Sequence, residues 1–202
     1  SPSSRVVEPA RSNHVTYQDP CRLGRHAGLY DPPRELLELL GHAVEEMAHS
    51  RDRAICCGNT AWLNCNAPTK QFQAARDFQP DIVIITLGTN DSKPGNWDKH
   101  GGDYKADYVE MIETFRSLES KPEVWVCLPV PVFGTRWGIN EATVSGEIIP
   151  MIKKVAGQTG VPVIDLYSPF EGKPELVPDK VHPNAAGATV LAETILAAIS
   201  DK

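Results

Sequence analysis

Asp179-Lys180-Val181-His182 sets a carboxylate three residues ahead of an imidazole. In a turn, that offset lets the carboxylate hold one ring nitrogen, leaving the other free to act as a general base. Gly88-Thr89-Asn90-Asp91 offers a complementary group. Its glycine permits a tight turn, and the Asn90 amide is a donor for an oxyanion as charge develops on it. Sulfur is the third resource: Cys21, the vicinal pair Cys56-Cys57, Cys65 and Cys127 make five cysteines. An odd count with an adjacent pair is a poor disulfide framework. Reactive or metal-binding thiols in a reducing compartment fit it better, hence a cytoplasmic location. Each motif alone also reads as an ordinary polar turn or a buried thiol. Their joint order along the chain carries the argument.

These groups need elements to position them. His14 to Gln18 reads as a short strand ended by Asp19-Pro20. Pro33 to Leu40 has helical spacing, with Asp31 as N-cap and Gly41 at the stop. Ala43 to Met47 reads as a weak strand, Ala54 to Gly58 is a second short apolar run, and Ala67 to Phe78 follows as a helix. Asp81 to Leu87 is a continuous apolar run, the pattern of a buried parallel strand. A helix over 103–118, a strand over 123–128, a helix over 141–159, a strand over 161–166 and a helix over 185–199 complete the chain. This alternation predicts an α/β fold: a three-layer α/β/α sandwich around a mostly parallel sheet of five strands. Ligands of such sheets bind beyond the carboxyl ends of the strands. The segments 19–21, 56–59, 88–91, 129–131 and 179–182 are placed there.

The bulk composition limits the function. With 202 residues, 41% hydrophobic and 23% charged, the chain suits one globular domain. Residues 1–13 read as a disordered or tag-like tail, and 14–202 as a single domain. A net charge of -6 argues against nucleic acid and against an anionic membrane surface as partners. No apolar run approaches the ~20 residues that span a bilayer. The first five residues lack the apolar stretch of a secretion signal. The expected partner is a small-molecule ester; the oligomeric state is not legible.

From about Phe78 onward the chain resembles the SGNH (GDSL-like) hydrolases. The resemblance rests on Pro80-Asp81-Ile82-Val83-Ile84-Ile85 before Gly88-Thr89-Asn90-Asp91, on Leu128-Pro129-Val130-Pro131, on Gly172-Lys173-Pro174-Glu175-Leu176, and on Asp179 through Gly187. It is closest in kind to members acting on acetylated carbohydrates. It implies a flavodoxin-like α/β sheet and ester hydrolysis, with His182 as base, Asp179 orienting it, and Asn90 and Gly88 serving the oxyanion. The family's G-D-S-type turn, which carries its serine, does not occur in this sequence.

Residues of about 14–73 resemble a different family, the cysteine-rich CCG domain of heterodisulfide-reductase-like and glycolate-oxidase-like iron–sulfur subunits. The likeness lies in Asp19-Pro20-Cys21-Arg22-Leu23-Gly24-Arg25-His26, in Tyr30 through Leu37, and in Cys56-Cys57-Gly58-Asn59-Thr60-Ala61-Trp62. It implies that Cys21, Cys56 and Cys57 descend from ligands of iron–sulfur or zinc. The C-x-x-C that completes the ligand set in that family is missing here. The chain thus reads as a chimera, with a CCG-like segment over 14–75 and a hydrolase-like segment over 76–202.

Three readings of the missing serine stay open. In the first, the Cys21 thiolate is the nucleophile, with the Gly58 N–H assisting Asn90 at the oxyanion. In the second, Cys21, Cys56 and Cys57 hold zinc or iron, with His182, Asp179 or Cys65 completing the shell, and an activated water attacks a carboxylic or phosphoric ester. In the third, the protein is a non-enzymatic metal-binding relic. Trp137 is a candidate for the substrate pocket. Cys127, inside an apolar strand, reads as core.

Overall fold

The computed structural model describes residues 14–17, 19, 28–39, 41–47, 50–54 and 79–200. The chain divides into two compact units, Ser1–Asp81 and Ile82–Lys202.

In the first unit, β1 (His14–Val15) pairs in parallel with β2 (Ala43–Val44), and α1 (Asp31–Leu39) lies between them in the chain. Two-residue strands bury little on their own. Much of the order comes from Arg34 on α1, which is 4% exposed. Its guanidinium donates to both Asp19 oxygens at 2.7 and 2.8 Å and to both Glu46 oxygens at 2.6 and 2.8 Å. It also donates to the Tyr30 carbonyl at 2.7 Å and lies 5.3 Å from the centre of the Tyr17 ring. Arg51 closes the group: its N–H donates to Asp19 at 2.6 Å and its side chain to Glu46 and Asp31. A planar fork facing two carboxylates is the arrangement in which a buried arginine is best satisfied.

In the second unit, β3 (Ile82–Ile85), β4 (Glu123–Leu128) and β5 (Val163–Asp165) form a parallel sheet in that order. Trp125 and Cys127 of β4 point to one face and pack with Ile164, Leu166 and the residues Leu191, Ile195, Ala198 and Ile199 of α6 (Ala185–Ser200). Val124, Val126 and Leu128 alternate to the other face. There α3 (Tyr104–Arg116) and α5 (Ile149–Thr159) cover β4 and bury Tyr108, Ile112, Phe115, Ile152 and Val155. Helices on both faces make this unit a three-layer α/β/α sandwich. Arg116 ties α3 to α5 by donating to the Thr159 carbonyl at 2.6 Å, where the helix end is electronegative.

The α/β class and the parallel sheet match expectation, but the strand count does not. Among the described residues, hydrogen bonding groups the strands as two and three rather than as one sheet of five. The N-terminal strands, two residues each, are too short to extend a ladder. The expected helix over 141–159 is also interrupted. It runs as α4 (Glu141–Thr143), a widened π turn (Val144–Ile148) and then α5. Pro150 explains the break, since it has no N–H for the Gly146 carbonyl and its ring crowds that oxygen. A short helix not expected from the sequence, α2 (Pro94–His100), starts on a proline, which is well suited to a first helical turn. The helix expected over 67–78 lies outside the described residues.

Candidate active site

The three loops that follow β3, β4 and β5 carry the site. The first begins at Gly88, buried, with φ +120. A Cβ built there falls 2.6 Å from Ile148 Cγ2 and 2.9 Å from Tyr104 Oη, so only glycine fits. The chain then turns through a single 3-10 turn, Asn90–Ser92. The Asn90 carbonyl accepts from Asn96 Nδ2 at 3.1 Å, while its side-chain amide makes no hydrogen bond among the described residues. That amide is therefore available. Ser92, fully buried, donates to the Thr89 carbonyl at 2.7 Å and holds Asn140 by two contacts, at 3.2 and 2.9 Å. Asn140 in turn accepts from the Thr143 N–H at 2.9 Å and caps α4. Burial pushes the Asp91 carboxyl above its usual range, against the pull of its own N–H and of Lys93. The Tyr104 hydroxyl, packed against this turn, is buried without a hydrogen-bond partner among the described residues, and burial raises its pKa well above normal.

The loop after β4 is clamped to its neighbours. Glu141 accepts from the Val132 N–H and the Tyr167 hydroxyl, each at 2.5 Å, and the Phe133 N–H donates to the Lys180 carbonyl at 3.0 Å. Between these clamps Trp137, 49% exposed, faces His182 with ring centres 5.6 Å apart.

The third loop holds the Asp–His pair. Asp179 Oδ2 lies 2.7 Å from His182 Nδ1. Asp179 Oδ1 accepts the backbone N–H of His182 at 2.7 Å and of Val181 at 3.0 Å. Burial opposes ionisation of Asp179. The hydrogen bonds from His182 and Val181 outweigh it and hold the carboxyl below the usual range. An ionised carboxylate only accepts, so the ring proton sits on Nδ1 and Nε2 carries the lone pair. Asn184 caps α6, its Oδ1 accepting from the Gly187 N–H at 2.9 Å, and its Nδ2 donates to the Glu175 carbonyl at 2.8 Å. This fixes the residue two beyond the histidine.

The structure thus brings Asn90, Trp137, Asp179 and His182 onto connected loops of one unit, through the Ser92–Asn140 and Trp137–His182 contacts. Cys21, Cys56, Cys57, Cys65 and Gly58 lie outside the described residues. Cys127 is fully buried in β4, and burial raises its thiol to about 11. Sequence reading missed Ser92, Asn140 and Glu141. Asn140 was findable, since an asparagine ahead of a helix is a capping signal. Among the described residues no three His, Cys, Asp or Glu side chains group as metal donors. The Asp179 bond occupies only Nδ1 of His182, an arrangement that leaves Nε2 for a proton or a metal ion.

Comparison with known proteins agrees with the α/β fold. A model of the GDSL-like lipase/acylhydrolase family matches residues 17–190. The chain belongs to the GDSL-like lipase/acylhydrolase family. An acetylxylan esterase of Xylanibacter ruminicola is 33% identical over 190 residues, 84% of this chain and 38% of that protein. A dihydromethanophenazine:CoB–CoM heterodisulfide reductase component from Methanosarcina acetivorans is 37% identical over 77 residues, 38% of this chain and 19% of that protein. A GDSL-like lipase structure from Bacteroides thetaiotaomicron superposes with TM-score 0.59 at 18% identity, covering 97% of this chain and 92% of that chain, which bears on the fold alone. The family match and the iron–sulfur likeness together support the chimeric origin read from the sequence. The chain spans well under half of the length of either curated relative. No helix among the described residues is long and apolar enough to cross a membrane.

Proposed function

We propose that the chain hydrolyses carboxylic esters, with His182 as general base and acid, Asp179 as its positioning residue and Asn90 as oxyanion donor. The observation that carries this reading is the Asp179–His182 bond, which leaves Nε2 as the basic nitrogen on a loop that meets an exposed aromatic ring. The attacking atom is assigned to the Cys21 sulfur on sequence grounds: it follows the first strand, and the family match takes in position 21. His182 accepts the thiol proton and the thiolate adds to the ester carbonyl. Asn90 donates to the resulting oxyanion. The tetrahedral centre collapses to a thioester as His182 protonates the departing alcohol. Water, deprotonated by His182, then releases the acid and restores the thiol. The esterase relative supports an acetyl group on a saccharide as the ester.

A second reading has Cys21, Cys56 and Cys57 binding zinc or iron, and the heterodisulfide-reductase likeness favours it. One experiment separates the two. Release of acid from a generic aryl acetate and from acetylated xylan is followed with and without a strong chelator, alongside elemental analysis, for the wild type, Cys21→Ala and His182→Ala. Chelator-resistant turnover lost in both variants supports the thiolate. Chelator-sensitive turnover supports the metal reading. Turnover that survives His182→Ala sinks the proposal.

A further inference from the structure

The six-residue loop 134–139 carries one cation, Arg136, on a chain whose net charge is -6. Arg136 and Ile139 exchange both backbone hydrogen bonds, at 3.1 and 2.9 Å, which closes a two-residue turn. Its central residues, Trp137 and Gly138, have φ of +52 and +81. Such turns favour Asn-Gly or Gly-Gly, and a bulky aromatic at positive φ is strained. The strain sets the indole between two groups. The Arg136 guanidinium lies 4.4 Å from its centre, and the His182 ring lies 5.6 Å away. Two lysines border the same loop. A Cβ built on Gly134 falls 3.6 Å from Lys180 Nζ, and one built on Gly138 falls 3.6 Å from Lys93 Cγ.

The neighbouring acids hydrogen-bond to other groups. Asp179 is taken up by His182 and Val181, and Glu141 by Val132 and Tyr167. Lys93 acts on Asp91, whose carboxyl is buried. Among the described residues, Arg136 and Lys180 make no ion pair. An arginine held over an indole keeps its planar fork of donors ready for a carboxylate.

We propose that this loop is a subsite for a carboxylate on the substrate, with Arg136 and Lys180 as its specificity-determining residues and Trp137 as the residue that holds Arg136 beside His182. The inference rests on the ester-hydrolase reading of the same site and narrows it. An acetyl group has no place for a second carboxylate, so the charge belongs to the alcohol half. The substrate class is an acetylated saccharide bearing a uronate.

The test compares acetate release from acetylated xylo-oligosaccharides that carry a glucuronate branch with release from the same oligosaccharides without it. At low salt the wild type prefers the charged ester about threefold to tenfold in kcat/KM, the worth of one or two partly exposed ion pairs. That preference shrinks in about 0.5 M salt, where the screening length is a few ångströms. In Arg136→Gln and Lys180→Gln the ratio of charged to neutral kcat/KM falls toward one. Equal rates on the two esters in the wild type, or a preference unmoved by salt and by both substitutions, overturn the proposal. If neither ester is hydrolysed, titration calorimetry of the deacetylated oligosaccharides decides. Salt-sensitive binding of the glucuronate form alone keeps the subsite while the hydrolase reading falls. Indifference to the glucuronate removes the subsite too.

Discussion

Asp179 and His182 are joined twice: the carboxylate meets the ring at 2.7 Å through Oδ2 and accepts the backbone N–H of the same histidine at 2.7 Å through Oδ1. The backbone bond shapes the turn, and the ring bond selects the tautomer. Asp179→Asn should therefore separate structure from chemistry. The amide oxygen can still accept the backbone N–H groups, so far-UV circular dichroism should remain that of the wild type. Its NH2 turned to Nδ1 favours the wrong tautomer, and kcat/KM should fall by about 10³ to 10⁴. A variant keeping more than a tenth of the rate would show that the pair does not set the base.

The same carboxylate fixes a pH window. Its pKa is lowered on folding. A depressed carboxylate contributes stability that is fully present above its unfolded value, roughly 4, and is lost as pH falls through the lower folded value. Acid titration of the wild type and Asp179→Asn, followed by circular dichroism, should give curves that are offset above about pH 4 and converge below it. Parallel curves down to the acid end would show that the carboxylate is not differentially held.

Asn90 is expected to act on the transition state rather than on the fold, because its side-chain amide bonds no described residue. Asn90→Ala should lower kcat by about 10² to 10³ with little change in KM and little shift in melting temperature. A change confined to KM would recast Asn90 as a binding residue.

How far the sequence announced this site depends on the range of each interaction. The Asp179–His182 pair was legible because both partners lie three residues apart in one turn. β4 was legible to the residue, since a parallel strand buried on both faces is apolar throughout. Ser92–Asn140 and Trp137–His182 were not legible as contacts. They span 48 and 45 positions in the chain, and only the packing of loops beyond the strand ends makes them neighbours. The Arg34 group was missed for a related reason: a single arginine on a short helix looks solvated until the fold brings Asp19 and Glu46 to it.

Gly88 tests the close packing behind the oxyanion turn. Gly88→Ala places a methyl on a backbone with φ +120, against Ile148 and Tyr104. Overpacking and strain together should destabilise the chain by about 2 to 4 kcal/mol in urea denaturation. Ile148→Ala removes the clashing Cγ2 methyl, so Gly88→Ala should cost less in the Ile148→Ala background than in the wild type. A double mutant no more stable than the additive sum would assign the cost to backbone strain alone.

The Arg34 cluster makes a separate claim about the first unit. Glu46 is held down to about 2, first by its hydrogen bond from Arg34, against burial and with help from Arg51 and Ser50. Its contribution to stability is therefore present above its unfolded value near 4.3 and disappears as pH falls toward about 2. Glu46 is partly exposed, so solvent screens the pair and Glu46→Gln should cost only about 1 kcal/mol at neutral pH. Arg34→Met should cost more, about 3 to 5 kcal/mol, because it removes the guanidinium that binds both oxygens of the Asp19 carboxylate, which is 4% exposed. Amide hydrogen exchange at α1 is the direct readout. Protection there should fall in Arg34→Met while protection in β4 is retained. Equal loss of protection in β4 would mean that this ion cluster governs the stability of the whole chain, and undiminished protection at α1 would show that it governs neither unit.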